Sequence, residues 1–180
     1  METGRPPSSD TELVNQARRG DGRAFHALVD RHAAALYALA AMLVGNAADA
    51  DDVVQETYAG AFRGLAGFRH EASVKTWLTQ ILVRQAGRFR RDRAKRPVAS
   101  LEGRDEPSPG NAQGRSDVRM DFQRALTLLG DEHREVIVLR ELQGLSYQEI
   151  ADVLGVPAGT VESRLFRARR QMQELLKDYL

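Results

Sequence analysis

The chain has 180 residues, in which 26 basic residues nearly balance 25 acidic ones and leave a formal net charge of +1. Apolar residues make up 42% and charged residues 28%, a balance typical of globular proteins rather than of disordered or fibrous chains. Cysteine is absent, which excludes disulfides, a thiolate nucleophile and cysteine-ligated metal sites.

The beginning of the chain has no recognisable sorting signal. The opening residues METGRPPSSD contain no hydrophobic stretch typical of a signal peptide, and no apolar run approaches the roughly 20 residues that cross a bilayer. We therefore expect residues 1–9 to be a disordered N-terminus. We also expect a cytoplasmic protein without membrane insertion.

Residues 10–96 are predicted to form a first domain of four helices. Apolar residues recur three and four positions apart almost everywhere, and no stretch alternates cleanly between apolar and polar residues, so the fold class should be all-α. The N-cap candidates are Asp10, Asp21, Asp49 and Ser73. The corresponding helices should end near Gly20, Gly45, Ala66 and Arg93.

The fourth of these helices combines a core face with a cationic face. Its predicted apolar stripe consists of Val74, Trp77, Leu78, Ile81, Leu82 and Phe89. At spacings of four, three and four residues, a neighbouring face carries Arg84, Arg88, Arg91 and Lys95. Residues 49–56 instead carry four acids and no base. Two oppositely charged surfaces indicate two different partners.

Residues 97–116 are interpreted as a flexible linker. The segment PVASLEGRDEPSPGNAQGRS is rich in Pro, Gly, Ser and Asn, so it cannot bury enough surface to offset its ordering entropy. A second helical domain of four short helices is predicted over residues 117–180. Its N-cap candidates are Ser116, Asp131 and Ser146, and its helix stops are Gly130, Gly144 and Gly155.

Residues 145–172 have the pattern of a helix-turn-helix. Ser146 and Glu149 can form a capping box, and Gly155 occupies a turn position that favours positive φ. Ala151 is small enough for the close crossing of two helices. The second helix has one apolar and one polar side, which suits the major groove of DNA. A surface helix with solvated arginines is the less favoured interpretation.

The same segment resembles region 4 of sigma-70-type factors, especially the extracytoplasmic-function (ECF) group, whose helix-turn-helix often reads GVPxGTVxSRLxRAR. Here these residues are Gly155 to Arg169. DDVVQETYAGAF, residues 51–62, resembles the region 2 helix of the family, and FRHEASVKTWL, residues 68–78, resembles the loop and helix start that follow it. The matches stand in the family's order and, with the linker, account for nearly the whole chain.

The resemblance implies an all-α protein of two small helical domains, region 2 and region 4, joined by a flexible linker. It implies an ECF-type sigma factor that binds core RNA polymerase and directs promoter-specific initiation by recognising minus-10 and minus-35 elements. Such a protein is not an enzyme and needs no cofactor or metal. The expected partners are core RNA polymerase, promoter DNA and an anti-sigma factor.

The resemblance also implies three sets of site residues. Polymerase docking would use Asp49, Asp52, Gln55 and Glu56, with Val53, Val54 and Phe62 facing the core. Minus-10 recognition would use Arg69, His70, Glu71, Ser73 and Lys75, with Arg84, Arg88 and Arg91 holding phosphates. Minus-35 recognition would use Glu162, Ser163, Arg164, Phe166 and Arg167, flanked on the same helix by Thr160 and Arg170.

Three points stay open beside these assignments. Without the resemblance, the acidic cluster is better explained as an ordinary solvated face. Trp77 could stack on a DNA base, but its place in the apolar stripe favours the core. Glu162 departs from the family, in which a basic or neutral residue is common, and its carboxylate can accept a hydrogen bond from a cytosine amino group.

Two other functions are weighed against this interpretation. A conventional helix-turn-helix repressor or activator usually binds as a symmetric dimer, but the first domain shows neither a heptad seam nor an evident ligand cavity. An isoprenoid synthase would use the acids of residues 49–56 to bind magnesium, but it needs a second carboxylate cluster that the sequence lacks. No pair at metal-ligand spacing occurs among His26, His32, His70 and His133.

Overall fold

The computed structural model describes residues 9–95 and 115–177, with side chains described for 9–95 and 122–177. All regular structure within these ranges is helical. The first domain contains helices α1 (Asp10–Arg18), α2 (Gly22–Val44), α3 (Ala47–Gly64) and α4 (Val74–Ala94), with a 3-10 turn at Leu65–Gly67. The second contains α5 (Arg115–Leu128), α6 (Asp131–Ile137), α7 (Tyr147–Leu154) and α8 (Ala158–Leu175), with a π-helical turn at Val138–Leu142. The expected disordered N-terminus, apart from residue 9, and residues 97–114 of the expected linker lie outside the described residues.

Several helix boundaries agree with the sequence analysis. The Asp21 carboxylate caps α2 by accepting hydrogen bonds from two backbone N–H groups, and Gly45 ends that helix in the left-handed conformation. The Ser73 hydroxyl accepts from the backbone N–H of Thr76 at the start of α4. Short-range hydrogen bonds of this kind depend on residues close in sequence, which explains why they could be predicted.

Four of the predicted N-caps are wrong. The N-cap positions of α1, α3 and α6 are occupied by Ser9, Asn46 and Gly130, whereas the predicted caps Asp10, Asp49 and Asp131 lie inside the first turn. An acidic side chain is also favourable in the first turn, because it faces the positive end of the helix dipole. The fourth predicted cap, Ser116, lies within α5, which begins at Arg115, so the last two residues of the expected linker are helical.

Helix α2 is the centre of the first domain. It packs against α1, α3 and α4, and its buried side includes Leu28, Leu36, Leu39 and Leu43. By length and composition alone it would be apolar enough to cross a membrane, in contrast to our expectation from the sequence. Its apolar side chains, however, have a different use in this fold, because they form the contact surface for three other helices.

The second domain builds its core around the helix-turn-helix. Helices α7 and α8 pack on each other, and α8 also packs on α6. The buried side chains of α8 are Val161, Leu165, Ala168 and Met172, as the spacing predicts. The two domains also touch, because α7 packs against α4 and the C-terminal part of α2 packs against α5 and α6. The described residues therefore form one continuous apolar core.

Candidate nucleic-acid interface

The loop that precedes α4 presents the first group of predicted DNA-binding residues. Arg69, His70, Glu71, Ser73 and Lys75 are all exposed. His70 has a φ of 59°, in the left-handed region that only a few per cent of residues other than glycine adopt. Backbone strain of this kind persists only where surrounding contacts hold the segment, so the loop is a well-defined surface feature.

Two contacts that the sequence analysis missed hold this loop. The Phe68 ring lies between the His70 and Trp77 rings, with centroid distances of 4.7 Å to each. From α1, the Arg18 guanidinium donates to the carbonyl oxygens of Ala66, at 3.1 Å, and Phe68, at 3.5 Å. The distance of about 50 residues between Arg18 and its acceptors explains why no local pattern could indicate it.

Trp77 has features of both interpretations considered for it, packing in the core and a surface on which a base could stack. It is half-buried, stacks on Phe68 and lines a cleft of about 560 Å³ beside the loop. In the predicted apolar stripe of α4, Val74, Leu78 and Leu82 are buried, whereas Ile81 and Phe89 are half-buried like Trp77. The indole thus contributes to the packing of the domain and to the wall of the cleft.

The cationic face of α4 is as the sequence predicts. Arg84, Arg88, Arg91 and Lys95 are exposed along one side of the helix. The carboxylate of Asp92 lies 3.9 Å from the Arg88 guanidinium, with both side chains more than half exposed, so this ion pair is weak. The face thus offers a row of cations beside the loop and the cleft.

The acidic segment of α3 differs from the predicted ridge in two respects. Asp52, Gln55 and Glu56 are exposed, but Asp49 is 0% exposed. The Asp49 carboxylate forms an ion pair with Arg93 and accepts a 2.6 Å hydrogen bond from the Asn46 side chain. A buried carboxylate with these partners cannot present its charge to another protein in this conformation.

Phe62 is the second difference on α3. We expected it to face the core with Val53 and Val54, but its side chain is 62% exposed, and its ring packs in a T-shaped arrangement with that of Phe25, at a centroid distance of 5.2 Å. Val53 is buried and Val54 half-buried. Since Phe62 stands seven residues after Gln55, it continues the exposed face of α3, where an apolar ring is available to a partner.

The helix-turn-helix has the predicted geometry. The Ser146 hydroxyl accepts from the Glu149 N–H at 3.2 Å, while the Glu149 carboxylate accepts from the Ser146 N–H at 2.8 Å, which completes the capping box. The Ser146 N–H and hydroxyl both donate to the Glu149 carboxylate at 2.8 Å, and these two hydrogen bonds lower the pKa of Glu149. Gly155 ends α7 at φ 67° and ψ 36°, and Ala151 is buried at the crossing with α8.

Helix α8 exposes most of the predicted recognition residues on one side. Glu162, Ser163, Phe166, Arg167 and Arg170 are exposed, and Thr160 is half-buried. Arg164 is different, because its guanidinium is turned toward α6 and forms a 2.6 Å ion pair with Glu132. The exposed side of α8 therefore offers two guanidiniums, a hydroxyl, a carboxylate and an aromatic ring, which are groups that can contact base edges and phosphates in a groove.

The site contains no arrangement suited to metal chemistry in the described part of the chain. Within residues 9–95 and 115–177, no group of three or more His or acidic side chains could hold a metal ion. The groups that the structure brings together are cations, aromatic rings and hydrogen-bonding side chains on convex helix faces. These are the components of nucleic-acid and protein contact surfaces.

Comparison with known families gives matches in both domains. Residues 28–96 match the family model for Sigma-70 region 2, and residues 119–172 match the model for Sigma-70, region 4. The RNA polymerase sigma-H factor of Pseudomonas aeruginosa is 35% identical, over 95% of this chain and 95% of that protein. The ECF RNA polymerase sigma factor SigM of Mycobacterium tuberculosis is 38% identical, over 96% and 87%. The ECF sigma-E factor of Escherichia coli strain K12 is 36% identical, over 89% and 91%.

Solved structures give the same result for the fold. The structure of CnrH in complex with the cytosolic domain of CnrY superimposes with a TM-score of 0.71 and 33% identity, over 95% of this chain and 99% of that one. The sigma factor RpoE of Bartonella quintana, in complex with the anti-sigma factor NepR, gives 0.69 and 30%, over 86% and 98%. As a family, sigma factors are not enzymes. Two matched regions in the family's order, together with relatives of nearly equal length, show that the chain belongs to the sigma-70 family, as an ECF-type RNA polymerase sigma factor that recognises promoters in transcription initiation.

Proposed function

We propose that the two domains divide promoter recognition between them, with the first domain, residues 10–96, acting at the minus-10 element and the second, residues 117–180, at the minus-35 element. The observation that carries this proposal is the presence of two exposed cationic faces on different helices, one on α4 and one on α8. Because the faces belong to separate domains, each can contact its own stretch of DNA.

At the minus-10 element, the loop before α4 captures bases of the melted strand. On the first-domain side of the cleft, the Phe68 and Trp77 rings and the polar side chains of the loop suit an extruded base, and extrusion costs a few kcal/mol that these contacts must offset. Arg69, Glu71 and Ser73 line this cleft, and His70 and Lys75 are exposed beside them in sequence. Arg84, Arg88 and Arg91 continue from the cleft along α4 and hold the phosphates of the same strand.

At the minus-35 element, α8 enters the major groove. The exposed side chains of Ser163, Arg167 and Arg170 contact base edges and phosphates, with Thr160, Glu162 and Phe166 at the margins. Arg164 also belongs to this set, and its ion pair with Glu132 is exposed at the carboxylate end, so that a DNA phosphate can compete for the guanidinium. Glu162 disfavours a nearby phosphate and favours a cytosine amino group.

Core RNA polymerase binds the exposed side of α3. Asp52, Gln55 and Glu56 provide polar and acidic contacts for a cationic partner, and Phe62 provides an apolar contact on the continuation of that face. Of the four residues first assigned to this surface, Asp49 has a structural role instead, because the buried carboxylate forms an ion pair with Arg93 that holds α3 against α4. A docking surface with one exposed aromatic ring and a polar rim matches the usual anatomy of protein interfaces.

The remaining parts of the proposal concern the location of the protein in the cell, its lack of catalytic activity and its regulation. The protein acts in the cytoplasm, where polymerase and promoter DNA are found, and it has no catalytic activity of its own. An anti-sigma factor holds it inactive. The support for this partner is that both superimposed structures contain a second protein, which is called an anti-sigma factor in the Bartonella quintana complex.

Transcription with purified core polymerase tests the division of labour. Over a promoter library, Arg167→Ala should weaken minus-35 binding, and Arg88→Ala should weaken open-complex formation, while both proteins still bind core polymerase. Each lost phosphate contact should also lower the slope of binding against salt by about one. Arg169→Ala is the matched control for α8, because Arg169 is paired with Glu141 at 2.7 Å within the domain.

Two results would contradict the proposal. If the wild-type protein, folded and free of inhibitor, supported initiation on no template of the library, the chain would not act as a sigma factor under these conditions. If a holoenzyme carrying both Arg88→Ala and Arg167→Ala transcribed a cognate promoter normally, the assignment of the two cationic faces would be wrong.

A further inference from the structure

Helix α1 lies outside the part of the chain that matches region 2, yet it contacts the segment that leads into the loop before α4. The match begins at residue 28, whereas α1 covers Asp10–Arg18. Besides α2, the helix packs on the 3-10 turn at Leu65–Gly67, from which the loop departs. This contact gives α1 a place beside the minus-10 loop that the sequence did not indicate.

Helix α1 is itself firmly held in the first domain. Its Leu13 and Val14 side chains are buried in the core. Near its N-terminal end, the Asp10 carboxylate accepts a 2.7 Å hydrogen bond from Arg31 and lies 2.8 Å from the Nε2 atom of His32, both on α2. Because α1 is fixed to α2 in these two ways, its last turn occupies a defined position in the domain.

That last turn carries Arg18, which reaches the start of the loop. One terminal nitrogen of its guanidinium donates to the carbonyl oxygen of Ala66 at 3.1 Å, and the other donates to that of Phe68 at 3.5 Å. Both carbonyls follow the end of α3, where a helix leaves carbonyl groups without N–H partners at the negative end of its dipole. The planar guanidinium therefore spans the point at which the chain leaves α3 and enters the loop.

The loop beyond this point depends on support from outside itself. Residues 68–73 form no regular helix, and His70 has the left-handed φ of 59°, a conformation that persists only where surrounding contacts impose it. The Phe68 ring is held between those of His70 and Trp77. Arg18 holds the backbone of the same residue, so Phe68 is fixed at both its carbonyl group and its side chain.

We propose that Arg18 is a positioning residue for minus-10 recognition, which holds the loop in the conformation that presents its side chains to the melted strand and does not itself bind DNA. Arg69 and Glu71, which line the cleft, follow Phe68 directly, so their direction depends on how the Phe68 backbone is held. The proposal rests on the proposed function of the loop and adds the residue of α1 that fixes its shape.

The base preference at the minus-10 element tests this role. Run-off transcription with core polymerase over a promoter library randomised at both elements gives, after RNA sequencing, the ratio of transcripts from the best and the worst base at each position. Arg18→Ala should lower this ratio at minus-10 positions by about three- to tenfold, the effect of losing partly exposed hydrogen bonds from a charged donor. The ratios at minus-35 positions should stay unchanged.

Three variants separate positioning from other roles of the charge. Arg19→Ala is the matched control, because Arg19 is exposed at the C-cap of α1 and loses the same charge, and it should leave the minus-10 ratios unchanged. The salt dependence of holoenzyme binding to a pre-melted template should be the same for Arg18→Ala and Arg19→Ala, since neither loses a phosphate contact. Arg18→Lys keeps the charge but not the planar fork, so its minus-10 ratios should lie between those of Arg18→Ala and the wild type. Far-UV circular dichroism must show that each variant is folded, and Arg18→Lys replaces Arg18→Ala if the latter is not.

Three outcomes would overturn the positioning role. Unchanged minus-10 ratios in both Arg18 variants would show that the loop keeps its shape without the guanidinium. An equal fall in transcripts from every template, with all ratios preserved, would leave Arg18 with a role in stability alone. A salt slope lower by about one in Arg18→Ala than in Arg19→Ala would show that Arg18 binds a DNA phosphate directly.

Substitutions in the loop itself distinguish these results from a failure of the proposed function. Arg69→Ala and Glu71→Ala remove side chains that line the cleft, and both should change the minus-10 ratios. If neither variant changed them, the loop would not read the minus-10 element, and the proposed function would fail whatever the Arg18 variants do. If both changed the ratios while the Arg18 variants did not, the proposed function would stand and only the positioning role would be overturned.

Discussion

The sharpest test of the structure concerns Asp49, which the family resemblance assigns to polymerase docking and which the fold buries. We predict that Asp49→Ala lowers the stability of the first domain. The substitution removes the ion pair with Arg93 and the 2.6 Å hydrogen bond from the Asn46 side-chain amide. The N–H of residue 49 can still donate to the side-chain oxygen of Asn46.

The size of the effect follows from these two interactions. A hydrogen bond to a charged group contributes about 1.5–3 kcal/mol. Asn46 is half-buried and the Arg93 side chain is 38% exposed, so water can form hydrogen bonds with both groups in place of the lost carboxylate. We therefore expect the free energy of unfolding of the first domain to fall by about 3 kcal/mol, which corresponds to about 12–24 °C in Tm for a domain of this size.

Urea unfolding followed by Trp77 fluorescence measures this change. Trp77 is the only tryptophan of the chain and lies in the first domain, so its emission reports on that domain. The matched control is Asp52→Ala, an exposed position three residues away on α3, where the free energy should stay within about 0.5 kcal/mol of the wild type. Affinity for core polymerase is measured on both variants, below their unfolding transitions.

The two variants should therefore behave in opposite ways. Asp52→Ala should weaken polymerase binding without a loss of stability, and Asp49→Ala should lose stability while the folded fraction binds polymerase normally. If Asp49→Ala lost less than about 1 kcal/mol and weakened polymerase binding as Asp52→Ala does, the buried ion pair would not stabilise the first domain.

Two further predictions concern the helix-turn-helix. Gly155→Ala should cost about 1–2 kcal/mol, because φ is 67° and no atom lies within 4 Å of the added methyl group, so that only the backbone is strained. Gly159→Ala, equally open but helical, should gain up to about 1 kcal/mol. Urea unfolding followed by far-UV circular dichroism, which reports on the helices of both domains, measures the two changes, and equal losses at both positions would contradict this reasoning. Hydrogen bonds from the Ser146 backbone and hydroxyl lower the pKa of Glu149 below its ordinary value of 4.5, so the contribution of the capping box is complete above that value and is lost as pH falls through the lowered pKa. Glu149→Gln should therefore show a weaker loss of second-domain stability than the wild type between about pH 5 and pH 3, and equal pH profiles would argue against the capping box.

Features that depend on neighbouring residues could be predicted from the sequence. The Ser146 and Glu149 capping box and the left-handed glycines at 45 and 155 involve atoms within a few residues of each other. The apolar side of α8 was predictable for the same reason, since its spacing alone determines which side chains share a face. Family resemblance added the functional assignments, which no spacing can supply.

Features that depend on tertiary contacts could not be predicted. Asp49 and Phe62 follow the same helical periodicity as their neighbours, yet Asp49 is buried because Arg93 reaches it across 44 residues of sequence. Phe62 is exposed because the first domain has no further helix to cover it among the described residues. Arg134 looks like any helical arginine, and its burial depends on carbonyl oxygens at the end of α5 and on that of Leu43, 91 residues away in sequence.

The carbonyl oxygen of Leu43, at the C-terminal end of α2, serves both domains as a hydrogen-bond acceptor. It accepts from Arg90 of its own domain at 3.3 Å as well as from Arg134 of the other at 3.1 Å. If the domains separated, Leu43 would keep one donor and Arg134 would keep three acceptors, so these two groups would stay hydrogen-bonded. Parting of the domains would therefore cost the ion pairs of Arg90 with Asp131 and Glu135, and would not leave the Leu43 carbonyl without a donor.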